Sequence, residues 1–247
     1  MEISEHIAAL RDDGDLMAKA IKAAGAGAPI LTCPEWTMRD LVRHTGIVHR
    51  WATVHVAEAR TAPADGIEEA VGAGPDDASL VDWFREGHTA LVNALEAAPS
   101  DLECWGFLPA PSGVAFWARR QCHETGIHRA DAESATGPVT PFAPLVAADG
   151  IDELLAGFIT RRGGRLASDE PRTIGVHTTD TNDDWVVRIA DRVTTTRGHD
   201  DADCVISGSA SDLHLFLWNR VDQSQVHVTG DAALLDQWRD SVTIRWS

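Results

Sequence analysis

The spacing of apolar residues changes near residue 140, and this change divides the chain into two regions of different fold class. In the first region apolar residues recur every three or four positions, as at Ile3, Ile7 and Leu10, which is the period of an amphipathic helix. In the second region apolar and polar residues alternate, as in TIGVHT and DWVVRIA, which is the period of a half-buried strand. We therefore expect a helical domain over residues 1–140 and an α+β domain over residues 141–247.

Capping and chain-breaking residues bound four predicted helices in the first region. Thr37 can cap a helix whose third residue, Asp40, reaches back to the cap, and Trp36 can pack onto Leu41. The four helices are predicted to run from the N-terminus to about Gly25, from Thr37 to about Arg60, from Ser79 to before Pro99, and from Ser112 to about Ser134. Because no strand pattern separates them, we expect a four-helix bundle. The Gly- and Pro-bearing segment Thr61–Ala78 is expected to be a polar loop.

The second region contains alternating runs interrupted by helical segments. An amphipathic helix is predicted around Ile151–Ile159, and two further helices are predicted at SDLHLFLWNR and DAALLDQWRD. The predicted strands are TIGVHT, DWVVRIA, RVTTTR, DCVISG, QVHVTG and SVTIRW. This order favours an α+β domain on a mostly antiparallel sheet. The domain boundary is expected in the Pro-bearing stretch 137–144.

Charge and apolar-run length exclude two classes of partner. The formal net charge is −17 and no run is basic, so binding to nucleic acid or to an anionic membrane is not expected. No stretch approaches the ~20 apolar residues of a membrane-spanning helix, and the N-terminal segment does not resemble a signal peptide. The four cysteines are far apart and form no CxxC pair, which indicates free thiols in a reducing compartment. We expect a soluble, cytoplasmic protein.

The segment RRQCHETGIHRADAE is the richest in residues that bind metals or transfer protons. It is one residue longer than the HExxH motif of zinc proteases, and at about 100° per helical residue His123 and His128 lie about 140° apart. Those two histidines therefore cannot bind one ion. Glu124 and His128 are four residues apart, so they share one face of a helix on adjacent turns. They form two ligands of an incomplete site.

A third ligand is expected from His44 in the second predicted helix. His44 belongs to an inward stripe at three- and four-residue spacing, made of Leu41, His44, Val48, Trp51 and His55. His49 falls off that stripe. Burying two imidazoles and a carboxylate without partners costs several kcal/mol, and a divalent cation bound by His44, Glu124 and His128 is the simplest partner. The alternative is that Glu124 pairs with an arginine such as Arg120 while the histidines fill the core.

The residues above resemble a known family. DLVRHTGIVHRW around His44 and CHETGIHRADAE around Glu124 and His128 look like the DinB-like metal-binding bundle, specifically the mycothiol-dependent maleylpyruvate isomerases and mycothiol S-transferases. The resemblance implies a metal held by one histidine of the second helix and a Glu-x3-His pair of the fourth, which match these three residues. The segments GSASDLHLFLWNR and HVTGDAALLDQW are similar to the sterol-carrier-like α+β domain of the same branch.

The resemblance also suggests residues that act on substrate or thiol. It implies a catalytic role for Arg220, as a group that binds an anionic substrate or thiol, although this chain has Asn219 where the family commonly has Gly. A solvated cation at a helix end is an equally good interpretation of Arg220. Weaker candidates for binding substrate or thiol are four residues that also suit a packed core or pocket wall: His88, Trp51, Trp117 and Arg120.

Two histidines and one carboxylate leave positions open for a further ligand, which is typical of a catalytic zinc site. With the resemblance, this predicts a zinc-dependent enzyme that activates mycothiol, or another low-molecular-weight thiol, for S-transfer to an electrophilic small molecule or for its cis–trans isomerisation. Non-haem iron suits the same ligands, so an iron oxygenase is an alternative. A non-catalytic binding protein for small molecules or lipids is another. The loop Thr61–Ala78 is the expected location of substrate specificity.

Overall fold

The computed structural model describes residues 1–64, 66, 74–161 and 166–242 of the chain. Contacts between residues divide it into two compact units, Met1–Thr140 and Pro141–Ser247. No helix among the described residues is long and apolar enough to cross a bilayer. Within the predicted loop Thr61–Ala78, residues 65 and 67–73 lie outside the described part, so the structure does not address the specificity proposed for them.

The first unit contains the four predicted helices. They are α1 (Ile3–Ala24), α2 (Met38–Ala57), α3 (Leu80–Ala97) and α4 (Gly113–Ser134). Helix α1 packs mainly along α4, and α2 packs mainly along α3 while also contacting α4. The predicted helical bundle is therefore confirmed.

Local capping explains where α2 and α4 begin. Thr37 and Asp40 form the predicted capping box, in which the Asp40 carboxylate accepts a hydrogen bond of 2.9 Å from the Thr37 amide. The Ser112 hydroxyl accepts a hydrogen bond of 3.2 Å from the Ala115 amide. Trp36 packs against the buried cluster that includes Leu41. These caps determine the helix starts and hence the rotational position of each side chain along the helices.

Helix α4 is the most deeply buried helix of the first unit. Every residue from Arg120 to Ala132 is buried, although many of these residues are charged or polar. A buried charge is tolerated only when it is paired or coordinates a metal. The polar groups of α4 must therefore be matched by partners on the elements around it.

The buried face of α2 differs from the predicted stripe. Its buried side chains include Leu41, Thr45, His49 and Ala52, and His49 is fully buried. The expectation that His49 lies off the inward face is therefore wrong. The buried face is rotated relative to the predicted stripe, and His44 lies at its half-buried edge.

The second unit is the predicted α+β fold. Among its described residues the α-helices are α5 (Pro144–Asp152), which continues as a π-helical turn (Glu153–Phe158), α6 (Ala210–Leu217) and α7 (Ala233–Ser241), and a short 3-10 helix spans Gln223–Gln225. Its strands are β1 (Arg172–Thr178), β2 (Asp184–Ile189), β3 (Thr194–Arg197), β4 (Cys204–Gly208) and β5 (His227–Gly230). Of the last predicted strand, SVTIRW, Ser241 ends α7 instead, and residues 243–247 lie outside the described part.

The sheet has the strand order β3-β2-β1-β4-β5. Strand β1 pairs in parallel with β4, while the β1–β2, β2–β3 and β4–β5 pairs are antiparallel. The mostly antiparallel sheet is therefore confirmed. Alternate side chains of its strands, including Ile174, Val187 and Ile206, are fully buried, as expected for a sheet with one face in the core.

Candidate metal centre

His44, Glu124 and His128 come together inside the first unit. The Nε2 atom of His44 lies 3.3 Å from Glu124 Oε1, and the Nε2 atom of His128 lies 3.2 Å from the same oxygen. One nitrogen or oxygen of each residue lies within 4.8 Å of the other two. Glu124 and His128 are adjacent because they are one turn apart on α4, and His44 reaches them from α2.

Arg120 holds the other oxygen of the Glu124 carboxylate. Its Nη2 atom donates a hydrogen bond of 3.0 Å to Glu124 Oε2, and both side chains are almost fully buried. One element of the alternative interpretation is therefore present, since Glu124 does pair with Arg120. The histidines nevertheless converge on Glu124 as well, so the arginine leaves Oε1 to face two imidazoles.

Two further residues, Asp131 and Thr32, hold His128 from its far side. Asp131 Oδ2 lies 2.9 Å from His128 Nδ1, and Asp131 Oδ1 accepts a hydrogen bond of 2.6 Å from the Thr32 hydroxyl. Sequence reasoning missed both. The three-residue spacing from His128 to Asp131 on one helix could have indicated the first, whereas Thr32, on the loop between α1 and α2, has no local signal in the sequence.

The hydrogen bond to Asp131 determines which nitrogen of His128 carries the proton and which one keeps a free lone pair. A carboxylate only accepts hydrogen bonds, so Nδ1 of His128 carries the proton that it donates to Asp131. In the neutral imidazole Nε2 then has no proton, and its lone pair faces the acceptor oxygen of Glu124 at 3.2 Å. Two acceptors at this separation need a cation between them, either a proton or a metal ion. The donor set therefore fits a divalent cation.

The pKa values of the cluster reflect the same electrostatics. Burial alone would lower the pKa of His128, but the charge of Glu124 and the hydrogen bonds to Asp131 and Glu124 outweigh it and raise the pKa to about 9. Burial alone would raise the pKa of Glu124, but the charge and hydrogen bond of His128, the hydrogen bond to His44 and the charge of Arg120 hold it well below its usual range. The site thus stabilises a carboxylate together with a positive charge beside it.

Access to the cluster is uneven. The His44 side chain is 19% exposed, whereas those of Glu124 and His128 are 4% and 9% exposed. The Trp36 ring lies 5.1 Å from the His44 ring and 6.3 Å from the His128 ring, measured between centroids. The most accessible side of the cluster is therefore the His44 side, next to an indole that supplies an apolar wall.

His88 lies in a different environment from the cluster. Its Nε2 atom is 3.0 Å from the carbonyl oxygen of Leu10, and its ring stacks on Phe84. His49, its neighbour in the core, lies 2.9 Å from the Thr125 hydroxyl, and burial holds the pKa of His49 well below its usual range. Within the described residues His88 has no hydrogen bond or ring contact with His44, Glu124 or His128.

Trp51 and Trp117 belong to an aromatic cluster in the second half of α2 and the first turns of α4. Their ring centroids are 5.0 Å apart, and both rings also contact His55 and Trp105. Trp51 Nε1 donates to the carbonyl oxygen of Ala64, and Trp117 Nε1 donates to that of Trp105. In the described part of the chain neither indole contacts the three converging side chains. Of the four weaker candidates, only Arg120 is in direct contact with them.

Arg220 lies in the second unit, immediately after α6. The amides of Asn219 and Arg220 donate to the carbonyl oxygens of Phe216 and Leu215, which is a Schellman motif. Asn219 has a φ of 59°, a left-handed conformation that Gly adopts freely and Asn tolerates. The replacement of the usual Gly by Asn is therefore structurally conservative. The Arg220 guanidinium donates a hydrogen bond to the Trp218 carbonyl oxygen. The catalytic role of Arg220 stays a prediction.

The fold and the cluster together define a class of protein: a helical bundle with a buried two-histidine, one-carboxylate cluster, followed by an α+β unit. Two family profiles match in the same order, the "Mycothiol maleylpyruvate isomerase N-terminal domain" over residues 7–133 and the "MDMPI C-terminal domain" over residues 146–237. The chain belongs to the mycothiol-dependent maleylpyruvate isomerase family, as its resemblance indicated.

Solved structures agree with this fold. The chain is similar to a mycothiol-dependent maleylpyruvate isomerase with 12% sequence identity and a TM-score of 0.63, and 93% of each chain is covered. It is similar to a histidine-to-alanine variant of such an enzyme with 13% identity, a TM-score of 0.62 and the same coverage. At these identities the likeness shows the fold alone. No functionally curated protein matches the sequence significantly.

Proposed function

We propose that this protein is a metal-dependent enzyme that activates a low-molecular-weight thiol, mycothiol in the first instance, for reaction with an electrophilic small molecule. The observation that carries the proposal is the convergence of His44, Glu124 and His128 on one point, with ligand atoms within 4.8 Å of one another. Membership of a family named for mycothiol and maleylpyruvate supports the choice of thiol and of a first substrate to test.

The three side chains are suitable ligands for a divalent cation. Two imidazole nitrogens and one carboxylate oxygen suit zinc and leave room for a further ligand, and the same set suits non-haem iron. When bound, such a cation would lower the pKa of a thiol that joins it and so favour the thiolate at neutral pH. Zinc is the first choice because the proposed chemistry needs no change of oxidation state.

The chain's own groups hold the ligands and admit the reactants. Arg120 fixes the Glu124 carboxylate through Oε2, so that Oε1 remains directed at the two imidazoles. The more exposed His44 side is the proposed entry for the thiol, with the Trp36 indole limiting water there. For Arg220, in the second unit, the proposal is limited to binding an anionic group, because its guanidinium carries a permanent charge suited to carboxylates.

The fate of the thiol adduct distinguishes the two reactions. In isomerisation, the thiolate sulfur bonds to one alkene carbon, the π electrons move into the conjugated carbonyl, and rotation follows about the resulting single bond. Return of the electrons expels the thiolate, so the thiol is regenerated. In S-transfer the carbon–sulfur bond persists, because the enolate takes up the proton that the thiol lost or, in a substitution, a leaving group departs from that carbon with its bonding electrons. No protein cysteine is needed, and burial raises the pKa of the Cys104 and Cys204 thiols, which makes them poor nucleophiles.

The proposal is tested with the full chain and the variant His44→Ala. Bound zinc is measured after removal of excess metal, and turnover is measured by NMR with maleylpyruvate and by mass spectrometry with a panel of electrophiles, with and without mycothiol. His44→Ala is expected to lose bound metal and thiol-dependent turnover together. His199→Ala, which alters a largely exposed histidine of the second unit, is the control and should retain both. Full activity in His44→Ala would refute the proposal.

The same experiment separates the alternatives. The iron oxygenase predicts oxygen consumption by the iron-loaded protein that does not depend on a thiol, since the two-histidine, one-carboxylate set also serves oxygenases. A non-catalytic binding protein predicts no turnover of any electrophile in the metal-loaded protein. Turnover that requires the thiol and proceeds without oxygen uptake would support the thiol-dependent enzyme over both.

A further inference from the structure

We propose that Asp131, held by Thr32, is a positioning residue that fixes the tautomer and the orientation of His128 as a metal ligand. This inference rests on the proposed function, because it assigns a role toward the same cation. Neither residue belongs to the three converging ligands. Asp131 acts through His128, and Thr32 acts through Asp131.

The contacts form a continuous chain from the loop between α1 and α2 to the cluster. The Thr32 hydroxyl donates to Asp131 Oδ1 at 2.6 Å, and Asp131 Oδ2 accepts from His128 Nδ1 at 2.9 Å. His128 Nε2 then faces Glu124 Oε1. The Asp131 side chain is 0% exposed, so water does not compete for these hydrogen bonds.

This arrangement presents the correct nitrogen for coordination. A neutral imidazole has one protonated and one unprotonated nitrogen, and only the unprotonated one can bind a metal. Because Asp131 accepts the proton-bearing Nδ1, it places the lone pair on Nε2, toward Glu124 and His44. A carboxylate in this position also raises the basicity of the imidazole and prevents rotation of its ring.

Thr32 gives the carboxylate a single orientation. An aspartate bound at one oxygen could rotate about its side-chain bonds, whereas bonds to both oxygens, from different elements, restrict it. The loop that carries Thr32 is itself held, since the Ile30 amide donates to the Trp36 carbonyl oxygen and the Trp36 amide donates to that of Cys33. The same loop therefore supplies both the support for His128 and the indole beside His44.

The test compares zinc affinity across a graded set of full-chain variants, measured by competition with a chromophoric chelator, and the visible spectrum of the cobalt-substituted protein. Asp131→Ala removes the acceptor, Asp131→Asn keeps an oxygen acceptor without the charge, and Thr32→Val and Thr32→Ser remove or keep the hydroxyl. Asp13→Asn is the matched control, because Asp13 is a buried carboxylate of the same bundle that bonds Arg129 rather than a ligand.

We expect Asp131→Ala to weaken zinc binding by about 10- to 100-fold, the range typical of lost outer partners of a ligating histidine. Asp131→Asn and Thr32→Val should show smaller losses with a shifted cobalt spectrum, and Thr32→Ser and Asp13→Asn should match the parent. If Asp131→Ala does not fold, the contrast between Thr32→Val and Thr32→Ser decides.

Failure of this inference differs from failure of the proposed function. Parent-like zinc affinity and cobalt spectra in both Asp131→Ala and Thr32→Val, while His44→Ala loses the metal, would overturn the positioning role and leave the metal site intact. A parent protein that binds no zinc or cobalt would overturn the proposed function and this inference with it. A loss of affinity in Asp13→Asn equal to that in Asp131→Ala would show a general packing effect and would also overturn the positioning role.

Discussion

The histidines of the first unit show that the hydrogen-bond partners of a buried imidazole determine whether it needs a second proton or a metal ion. His88 faces a backbone carbonyl oxygen and His49 faces a hydroxyl, and burial lowers the pKa of both. His128 instead lies between two carboxylates, Asp131 and Glu124. Neutral partners are satisfied by a neutral imidazole, whereas two acceptor-only partners require a proton or a metal on one nitrogen. Burial alone therefore does not identify a ligand.

The pair formed by Asp13 and Arg129 yields a prediction of pH dependence. Burial raises the pKa of Asp13 from 3.8 to about 6, although Arg129 lowers it in part. Arg129 also donates to Glu133 at 2.8 Å, so its charge is shared. A carboxyl whose folded pKa is raised contributes stability that is complete below the unfolded value and is lost as pH rises through about 6. Two pKa units correspond to about 3 kcal/mol.

We therefore expect the free energy of unfolding of the parent, relative to Asp13→Asn, to fall by about 3 kcal/mol between pH 3.5 and pH 7. Denaturant unfolding across that range measures it. Asp77→Asn is the control of opposite sign, because the hydrogen bond from Arg39 lowers the pKa of Asp77 and its contribution is lost as pH falls. A parent that gains stability relative to Asp13→Asn as pH rises would contradict the prediction.

The site could be predicted from sequence only where its residues obey a local spacing. Glu124 and His128 share a helix face wherever that helix packs in the fold. The apolar stripe of the second helix predicts His44 as the third residue. The stripe itself was placed with an error, since His49 is buried and His44 lies at the edge. Thr32 reaches Asp131 across 99 positions of the chain, and a contact of that kind depends on tertiary packing that no local pattern records.

At the scale of elements, helices α2 and α3 pack through two glycines. A Cβ atom at Gly46 would overlap the Trp83 ring, and one at Gly87 would meet the end of the Arg50 side chain. Arg50 in turn lies 3.9 Å over the Trp83 ring and donates to the Trp83 carbonyl oxygen. The two glycines thus admit an indole and a guanidinium that interlock α2 and α3.

The substitutions Gly46→Ala and Gly87→Ala should change the free energy of unfolding by different amounts. Each gains about 1 kcal/mol of helix propensity, so the difference comes from the side chain that the new methyl group meets. At Gly46 the rigid indole cannot yield, so overpacking of about 1–3 kcal/mol should leave a net destabilisation. At Gly87 the flexible guanidinium can move, so the change should lie within about 0.5 kcal/mol of the parent. Thermal unfolding of both variants measures the difference, and equal stabilities would contradict it.

Element ends were predictable where a cap or a breaker marks them. The Thr37–Asp40 box and the Ser112 cap lie where the sequence indicates, and α3 ends before Pro99. The π-helical turn Glu153–Phe158 was not predicted, because its apolar spacing is compatible with an ordinary α-helix.

At the scale of the whole molecule, the change of apolar period predicted the two fold classes, but it could not predict strand pairing. The parallel β1–β4 pair, with Ile174 opposite Cys204, joins strands that are separated by two others in sequence. Alternation specifies which face of a strand is buried, but it does not specify which strands pair with it. The topology thus follows from how the strands share one core, which is information the whole chain supplies.

Because the cluster lies within the first unit, a bound metal is expected to stabilise that unit and not the second. The three converging side chains belong to α2 and α4 of the first unit, so a cation bound by them would favour the folded form of that unit. Zinc at about 100 times its dissociation constant adds about 2.7 kcal/mol of stability by mass action. Hydrogen exchange of the full chain should therefore slow in Met38–Ala57 and Gly113–Ser134.

In the same experiment the sheet strands Arg172–Thr178 and Asp184–Ile189 serve as an internal reference, because they contribute no ligand to the cluster. His44→Ala should show no zinc-dependent change in α2 or α4. Slowing of equal size in His44→Ala, or slowing confined to the strands, would mean that zinc binds elsewhere on the chain. Slowing that includes α2 and α4, is absent from the strands and is lost in His44→Ala is the outcome expected of a cation at this cluster, because its binding energy is lost when either helix opens.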